Sequence, residues 1–377
     1  MRVAIDIRRA GDFGIGTYTR NVIRELARQD RETDYLLIGE PRHFEILGKL
    51  PGNFQLFHYE AAPGSFRTHF HLPLQLNEQR VDLLHMPWFY APVFVPCPMV
   101  ITVHDLAEIF LTQRGPEMLQ AGRRYFARRA MHKASRILAV SQAAARDVVR
   151  AFGVPEAKVT VIHNALDERF ASEPYPAGEE SRMLERHAVN GPFLLYAGNI
   201  RPHKNLTRLI EAFAIVKGEL RSHPQLSGLK LLVIGDELGR HADLRRAVVR
   251  ARVREDVRFL GFVEHQVLRV FYARASAFVF PSLYEGFGLP PLEAMAHGTP
   301  VVTSNVSSLP EVCGDAAVLV DPEKVFDIAR GIQQALTDAE LRRQLIARGQ
   351  IRVQQFSWAH AAKQIREVYH AVASSAK

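Results

Sequence analysis

Cysteine is nearly absent. Among 377 residues only Cys97 and Cys313 occur, far apart and without metal-ligand spacing. That excludes a disulfide framework and a thiolate zinc site, and suits free thiols in a reducing compartment. The chain has no uninterrupted apolar run of about 18 residues, the length a membrane-spanning helix needs. Its start, Met1-Arg2-Val3-Ala4-Ile5-Asp6, puts an acid where a secretory leader keeps an apolar core, so it reads as a first strand. No block of one charge occurs either. The formal excess is +8, and about half of it falls in residues 1–172. Basic character suits anionic partners, but an excess this diffuse does not suit a nucleic-acid-binding protein.

The length calls for two domains. In the first half, apolar runs at Val3–Ile7, Tyr35–Ile38, Leu83–His85, Val100–His104, Ile137–Val140 and Val159–Ile162 alternate with helical patterns. The pattern fades between Asp167 and Pro192, and Ser172–Glu180 has the composition of a linker. It then restarts, with strand candidates Phe193–Gly198, Leu231–Gly235, Val257–Leu260, Ala277–Phe280, Val301–Thr303 and Ala317–Val320. Strands alternating with helices predict an α/β chain of two doubly wound, Rossmann-like parallel sheets. Near the end, Phe356-Ser357-Trp358 interrupts a helical run, and Ser357 is placed to cap a last helix through Val372.

The most informative stretch runs from Phe278 to Pro300. A buried strand leads into the loop Glu285-Gly286-Phe287-Gly288-Leu289. Pro290 and Pro291 then open a short helix that Gly298 and Pro300 stop. Loop amides and a helix N-terminus at the carboxyl end of a strand favour a phosphate anion. Glu285 and Glu293 bracket this nest. Two carboxylates there would repel a phosphate unless they faced something else, and vicinal sugar hydroxyls are the natural partners. Amides for a diphosphate and two carboxylates for two sugars describe a nucleotide-sugar pocket. Upstream, Asn199-Ile200-Arg201-Pro202-His203-Lys204-Asn205 sets two cations, Arg201 and Lys204, at a helix start after a strand, which again suits a diphosphate.

Other features admit two readings each. Gly11 to Gly16 makes a glycine-rich turn from strand to helix. It lacks the third glycine of a dinucleotide fingerprint and the Lys-Ser/Thr of a P-loop, so it is a phosphate approach at Gly16 or simply a tight turn. His104 ends a strong strand, either pointing into a ligand crevice or satisfied locally. The aromatic, proline-rich loop Met86–Pro96 either packs over the cleft or meets an apolar partner. Residues 119–137 form a helix with Leu119, Gly122, Phe126, Ala130 and Ala134 on one face and Arg124, Arg128 and His132 opposite. Its cationic side is a solvated surface or a contact for an anionic membrane.

The wording EGFGLPPLEAMAHGTPVV, with its E-x7-E pair Glu285 and Glu293, resembles the retaining glycosyltransferases of family 4, as does the Arg-x-x-Lys-Asn segment. The likeness covers essentially the whole chain and is closest to the mannosyltransferase-like branch that builds bacterial surface polysaccharides. It implies a GT-B architecture, two doubly wound domains facing across a cleft. Its parts are residues 1–172 on the acceptor side, a linker 173–191, a nucleotide-sugar domain 192–355, and a final helix 356–377 crossing back. It implies a metal-independent hexosyltransferase, in keeping with the lack of an Asp-x-Asp motif, with a nucleotide-sugar as substrate and no cofactor. The best guess for the donor is GDP-mannose, and the acceptor is a glycan or lipid-linked. By the same likeness Arg201, Lys204 and the amides of Gly286, Phe287, Gly288 and Leu289 hold the diphosphate, Glu293 the ribose, and His104 and Glu285 the transferred sugar. Glu285 is not expected to be a covalent nucleophile, because leaving and attack share one face in the family. The expected location is cytoplasmic, peripheral on the inner membrane face. A glycosidase also uses two carboxylates but needs no diphosphate grip. A nucleotide-sugar epimerase of the same architecture and a basic nucleic-acid-binding protein stand as alternatives.

Overall fold

The computed structural model describes residues 1–111, 117–170, 178–236, 239 and 241–375. They divide into two compact units, one of Met1–Ala165 with Phe356–Lys377 and one of Leu166–Gln355. Each is built on an all-parallel sheet.

The first unit has seven strands: β1 (Arg2–Asp6), β2 (Asp34–Gly39), β3 (Phe54–His58), β4 (Leu83–Met86), β5 (Met99–Val103), β6 (Arg136–Ala139) and β7 (Val159–Val161). Their order is β3-β2-β1-β4-β5-β6-β7. Side chains alternate across the sheet and both faces are covered, as a parallel sheet requires. Val3, Ile5, Tyr35, Leu37 and Val100 pack on one side, with Ala4, Leu36, Ile38, Ile101 and Val103 on the other. The first side is closed by the helices Ile15–Gln29 and Trp358–Ser374, through Tyr18, Val22 and Leu26 against Trp358, Ile365 and Tyr369. Ser357 caps the last helix, its Oγ accepting from the His360 N–H at 3.4 Å.

The second unit has six strands: β8 (Phe193–Ala197), β9 (Lys230–Ile234), β10 (Val257–Gly261), β11 (Ala277–Phe280), β12 (Val301–Ser304) and β13 (Ala317–Val320). Their order, β10-β9-β8-β11-β12-β13, reverses direction between β8 and β11. At such a switch the loops leaving two adjacent strands diverge and open a crevice for ligand. The loop after β8 carries Arg201 and Lys204, and the loop after β11 carries Glu285.

Three expectations need correction. β3 was not read from the sequence, because an edge strand with Gln55 and His58 shows no apolar run. The chain passes between units at Ala165–Leu166, ahead of residue 172, since Phe170 already packs on Tyr272 and His297. Residues 173–177 of the expected linker lie outside the described residues. The helix Glu179–Arg186 belongs to the second unit, where Glu180 pairs with Arg274 at 3.8 Å.

Candidate active site

Backbone contacts first fix the loop after β8. Gly198 and Gly235 come so close that a Cβ on Gly235 would lie 2.0 Å from the Gly198 carbonyl oxygen. Arg201 leads into the short 3-10 turn Pro202–Lys204, with its side chain in the exposed range. Asn205 follows in the left-handed region at φ 63° and starts the helix Leu206–Glu219. Its buried amide donates to the Pro281 carbonyl at 3.0 Å and the Pro322 carbonyl at 2.7 Å. The Leu283 N–H donates to the His203 carbonyl at 2.7 Å. These bonds stitch the β8 loop to the β11 loop. Across the seam the Lys204 ammonium donates to Glu285 Oε1 at 2.6 Å, with both side chains about one-tenth exposed. Lys204 also lies 5.4 Å from the centre of the Phe280 ring.

Two serines that sequence reading missed shape the β11 loop. Ser307 Oγ donates to the Glu285 carbonyl at 2.6 Å and accepts from the Glu285 N–H at 3.1 Å. Ser308 Oγ reaches the carbonyls of Glu285 at 3.0 Å and Phe287 at 2.8 Å. In a trans peptide the N–H opposes the preceding C=O. With the carbonyls of 285 and 287 turned to the serines, the N–H groups of Gly286 and Gly288 point the other way. Phe287 is buried, so it offers only its backbone to a ligand. Gly288 sits at φ 104°, and a Cβ there would meet Leu309 at 2.8 Å. It begins the helix Leu289–Ala296, whose next residues Pro290 and Pro291 have no N–H. Leu289 is thus the one residue of the helix's first three that carries an N–H. The polar cluster Ser304-Asn305-Val306-Ser307-Ser308 at the end of β12 was the available signal for the serines.

Glu293 lies one turn further along that helix. Its Oε2 accepts from the Tyr272 hydroxyl at 2.8 Å. Tyr272 stacks on His297 at 5.7 Å, and Phe170 meets both rings edge-on. Burial in this aromatic setting pushes the Glu293 carboxyl up to about 7. The Tyr272 bond opposes that rise, and the negative field of Asp167 adds to it. The carboxylate thus titrates near neutrality, where a hydrogen-bonding ligand can set its charge.

The remaining residues predicted for the site belong to the first unit. Gly16 is buried in the first turn of Ile15–Gln29, and a Cβ there would come within 2.6 Å of the Ala10 carbonyl oxygen. Close backbone approach is thus a sufficient reason for that glycine. His104 follows β5. Its Nε2–H donates to the Pro87 carbonyl at 3.1 Å, and Tyr18 packs against the ring at 4.8 Å in a T-shape. Burial holds the imidazole down at about 4, against the Pro87 bond and with help from Arg9. It is neutral at pH 7, and Nδ1 is its acceptor. Behind it runs a buried polar chain that sequence reading also missed. Tyr369 hydrogen-bonds with His85 at 2.5 Å, His85 with Thr102 at 2.8 Å, and Thr102 with Tyr18 at 2.9 Å.

The aromatic loop is mostly packed inward: Phe89, Ala91 and Val93 are buried, and Arg9 covers Trp88 at 4.1 Å. Only its Phe94 is exposed among the large apolar side chains. The basic helix spans Glu117–Lys133 and stops there because β6 begins at Arg136. Ala130 and Ala134 are buried, and Arg124, Arg128 and His132 face solvent. The Leu119 side chain lies outside the described residues. Among the described residues there is no helix long and apolar enough to cross a membrane, and no group of three or more His, Cys, Asp or Glu side chains placed to hold a metal ion.

Two parallel sheets, with an ion pair and a glycine-containing loop at the switch point of the second, fit a glycosyltransferase of the GT-B class, and comparison with known proteins agrees. Residues 14–170 match the family described as Glycosyltransferase Family 4, and residues 179–352 that described as Glycosyl transferases group 1. The O-antigen chain mannosyltransferase B of Escherichia coli is 33% identical over 300 residues, which cover 78% of this chain and 75% of that protein. The serotype-specific mannosyltransferase WbdA of Escherichia coli is 34% identical over 272 residues, 71% of this chain but 33% of that longer protein. Anabaena HepE, solved in complex with UDP-glucose, shares the fold at a TM-score of 0.77 and 19% identity, over 98% of this chain and 100% of that one. The chain belongs to glycosyltransferase family 4, in its mannosyltransferase-like branch.

Proposed function

We propose that the protein transfers a hexose, with mannose from GDP-mannose as the first candidate, to a glycan or lipid-linked acceptor in surface-polysaccharide synthesis. The transfer retains anomeric configuration and uses no metal ion. The observation that carries this reading is the contact between Lys204 and Glu285. A glycosyl phosphate breaks at the bond between its sugar and its phosphate. A cation for the phosphate and a carboxylate for the sugar must then be neighbours, and these two are 2.6 Å apart.

In this reading the Lys204 ammonium keeps further N–H donors for a departing diphosphate, beside Arg201 and the amides of Gly286, Phe287, Gly288 and Leu289. Glu293 takes the ribose diol. Glu285, neutralised by Lys204, is a poor nucleophile and serves to orient the sugar. His104 presents Nδ1 to a sugar hydroxyl, and Gly16 lets the backbone of its turn approach the donor. The names of the O-antigen mannosyltransferases support the mannosyl donor and the polysaccharide setting. A lipid-linked acceptor places the enzyme in the cytoplasm, peripheral on the inner membrane face.

The test is incubation with GDP-mannose, UDP-glucose and an oligomannose acceptor, with the product's anomeric configuration read by NMR. An α-linked mannoside formed from GDP-mannose is expected. A β-linked product would remove the retaining assignment. A changed sugar released without acceptor would favour an epimerase.

A further inference from the structure

We propose, resting on the transferase reading above, that Ser307 is a positioning residue for sugar transfer. Its hydroxyl fixes the backbone of Glu285, and so the direction of the carboxylate, while Ser308 extends the hold to the loop amides.

The backbone at 307 calls for glycine. Ser307 sits at φ 61°, in the left-handed region, where a Cβ costs stability and glycine meets no such cost. Among the described residues five non-glycine positions take a positive φ. Two of them, Asn205 and Ser307, bond to the same loop after β11. Asn205 reaches the Pro281 carbonyl at 3.0 Å, and Ser307 reaches Glu285. Backbone strain that gathers at one loop, each time with a side-chain bond into it, marks a conformation kept for its use.

Ser307 Oγ accepts from the Glu285 N–H at 3.1 Å and donates to the Glu285 carbonyl at 2.6 Å. The first group belongs to the peptide plane before the Glu285 Cα, the second to the plane after it. One hydroxyl therefore sets both backbone dihedrals of Glu285, and with them the direction in which its side chain leaves the chain. That side chain carries the carboxylate that meets Lys204 Nζ at 2.6 Å. Ser308 Oγ lies 3.0 Å from the Glu285 carbonyl and 2.8 Å from the Phe287 carbonyl, but it has one proton to give. With Ser307 already donating to Glu285, the Ser308 proton serves Phe287. The peptide plane held there carries the Gly288 N–H.

The serines have a fixed base. Ser308 is fully buried and precedes the short helix Leu309–Cys313, whose Leu309 side chain packs against Gly288. At the far end of that helix Arg352 Nε donates to the Val312 carbonyl at 2.8 Å, and its Nη2 donates to the Glu311 carbonyl. Charge on sugar and diphosphate develops only as their bond breaks. A loop that loses its orientation therefore loses transition-state stabilisation more than ground-state binding.

The test compares Ser307→Gly and Ser307→Ala with wild type in the full chain. Both remove the hydroxyl. Glycine also relieves the left-handed strain, whereas alanine keeps it, so the glycine variant should melt close to wild type and above the alanine variant. In both, kcat for transfer from GDP-mannose to an oligomannose acceptor should fall about tenfold or more, with KM for GDP-mannose nearly unchanged. Hydrogen exchange of a peptide spanning Leu283–Leu289, read by mass spectrometry without substrate, should be faster in both variants. Unchanged exchange would overturn the proposal, since the hydroxyl would not be fixing the loop. Faster exchange with wild-type kcat would overturn it too, because transfer would not depend on the hold. So would a raised KM at unchanged kcat, the mark of a substrate contact. A wild type inactive with GDP-mannose and UDP-glucose, alongside faster exchange in both variants, would sink the transferase reading and leave the hold on the loop standing.

Discussion

Lys204 Nζ and Glu285 Oε1 lie 2.6 Å apart, one from the loop after β8 and the other from the loop after β11. Each is the other's charge partner in a place that is only about one-tenth exposed. Lys204→Ala would strand the carboxylate, at a cost of about 1–3 kcal/mol for an unsatisfied buried group. The melting temperature should drop by a few degrees. Turnover should fall about 100-fold or more, as when a preorganised charge is removed from a transition state. Adding Glu285→Gln should recover stability without recovering turnover. Calorimetric melts and single-turnover rates across the cycle check this, and a double variant no more stable than Lys204→Ala would show that the pair is not coupled.

Glu293 should make donor binding and stability depend on pH in opposite senses. Its carboxyl is raised to about 7 by burial. A raised carboxyl holds its proton more tightly in the folded state. Its contribution to stability is therefore full below the ordinary carboxyl range and is lost as pH rises through about 7. The amount is roughly 3 kcal/mol by the linkage between pKa and stability. A ribose diol donates to the ionised form, so donor affinity should rise over the same interval with release of a proton. Titration calorimetry in buffers of different ionisation enthalpy reads that proton directly. Glu293→Gln should flatten both dependences. Glu293→Ala should weaken donor binding roughly tenfold or more, for loss of a charged hydrogen-bond partner. Unchanged affinity would remove Glu293 from the ribose site.

The legible part of this chain was its local chemistry. Among the described residues, apolar runs announced twelve of the thirteen strands, because strands buried on both faces read as continuous hydrophobic stretches. β3 failed that test because it sits at a sheet edge with a mixed surface. The loop 285–289 and the prolines after it could be read because backbone geometry forces glycine and proline into particular places. What supports the loop could not. Ser307 and Ser308 lie more than twenty residues downstream, and only pairing of β11 with β12 brings them beneath Glu285. Tyr272 reaches Glu293, and Tyr369 reaches His85, through tertiary packing that no local period encodes. The aromatic loop stayed open between two readings, packing over the cleft or meeting an apolar partner, because composition does not say which way side chains point; it spends most of its apolar side chains on the first unit's core.

Tyr369→Phe tests the buried polar chain behind His104. The substitution keeps the ring and removes one hydroxyl, so His85 Nδ1 loses its 2.5 Å partner inside the core. An orphaned buried polar atom costs about 1–3 kcal/mol. The expected result is a lower urea midpoint with an unchanged slope. Thr102→Val should cost at least as much, since it cuts the chain between His85 and Tyr18. A Tyr369→Phe protein as stable as wild type would mean that the hydroxyl contributes nothing net.

Activity should survive excess EDTA. A leaving diphosphate needs its growing negative charge balanced, and in many transferases a divalent ion does this. Here Lys204 and Arg201 stand on the β8 loop, and the Gly286 and Gly288 N–H groups point away from the serines that hold their carbonyls. Prolines at 290 and 291 leave little amide capacity deeper in the helix. Most of the balancing charge must then come from the two cations, and Lys204 is the one fixed by a partner. Two measurements make this specific. Wild-type turnover after EDTA treatment should match the untreated rate, and added magnesium should not rescue Lys204→Ala. Complete loss of activity with EDTA, restored by magnesium or manganese, would show that a metal ion carries the charge assigned here to lysine.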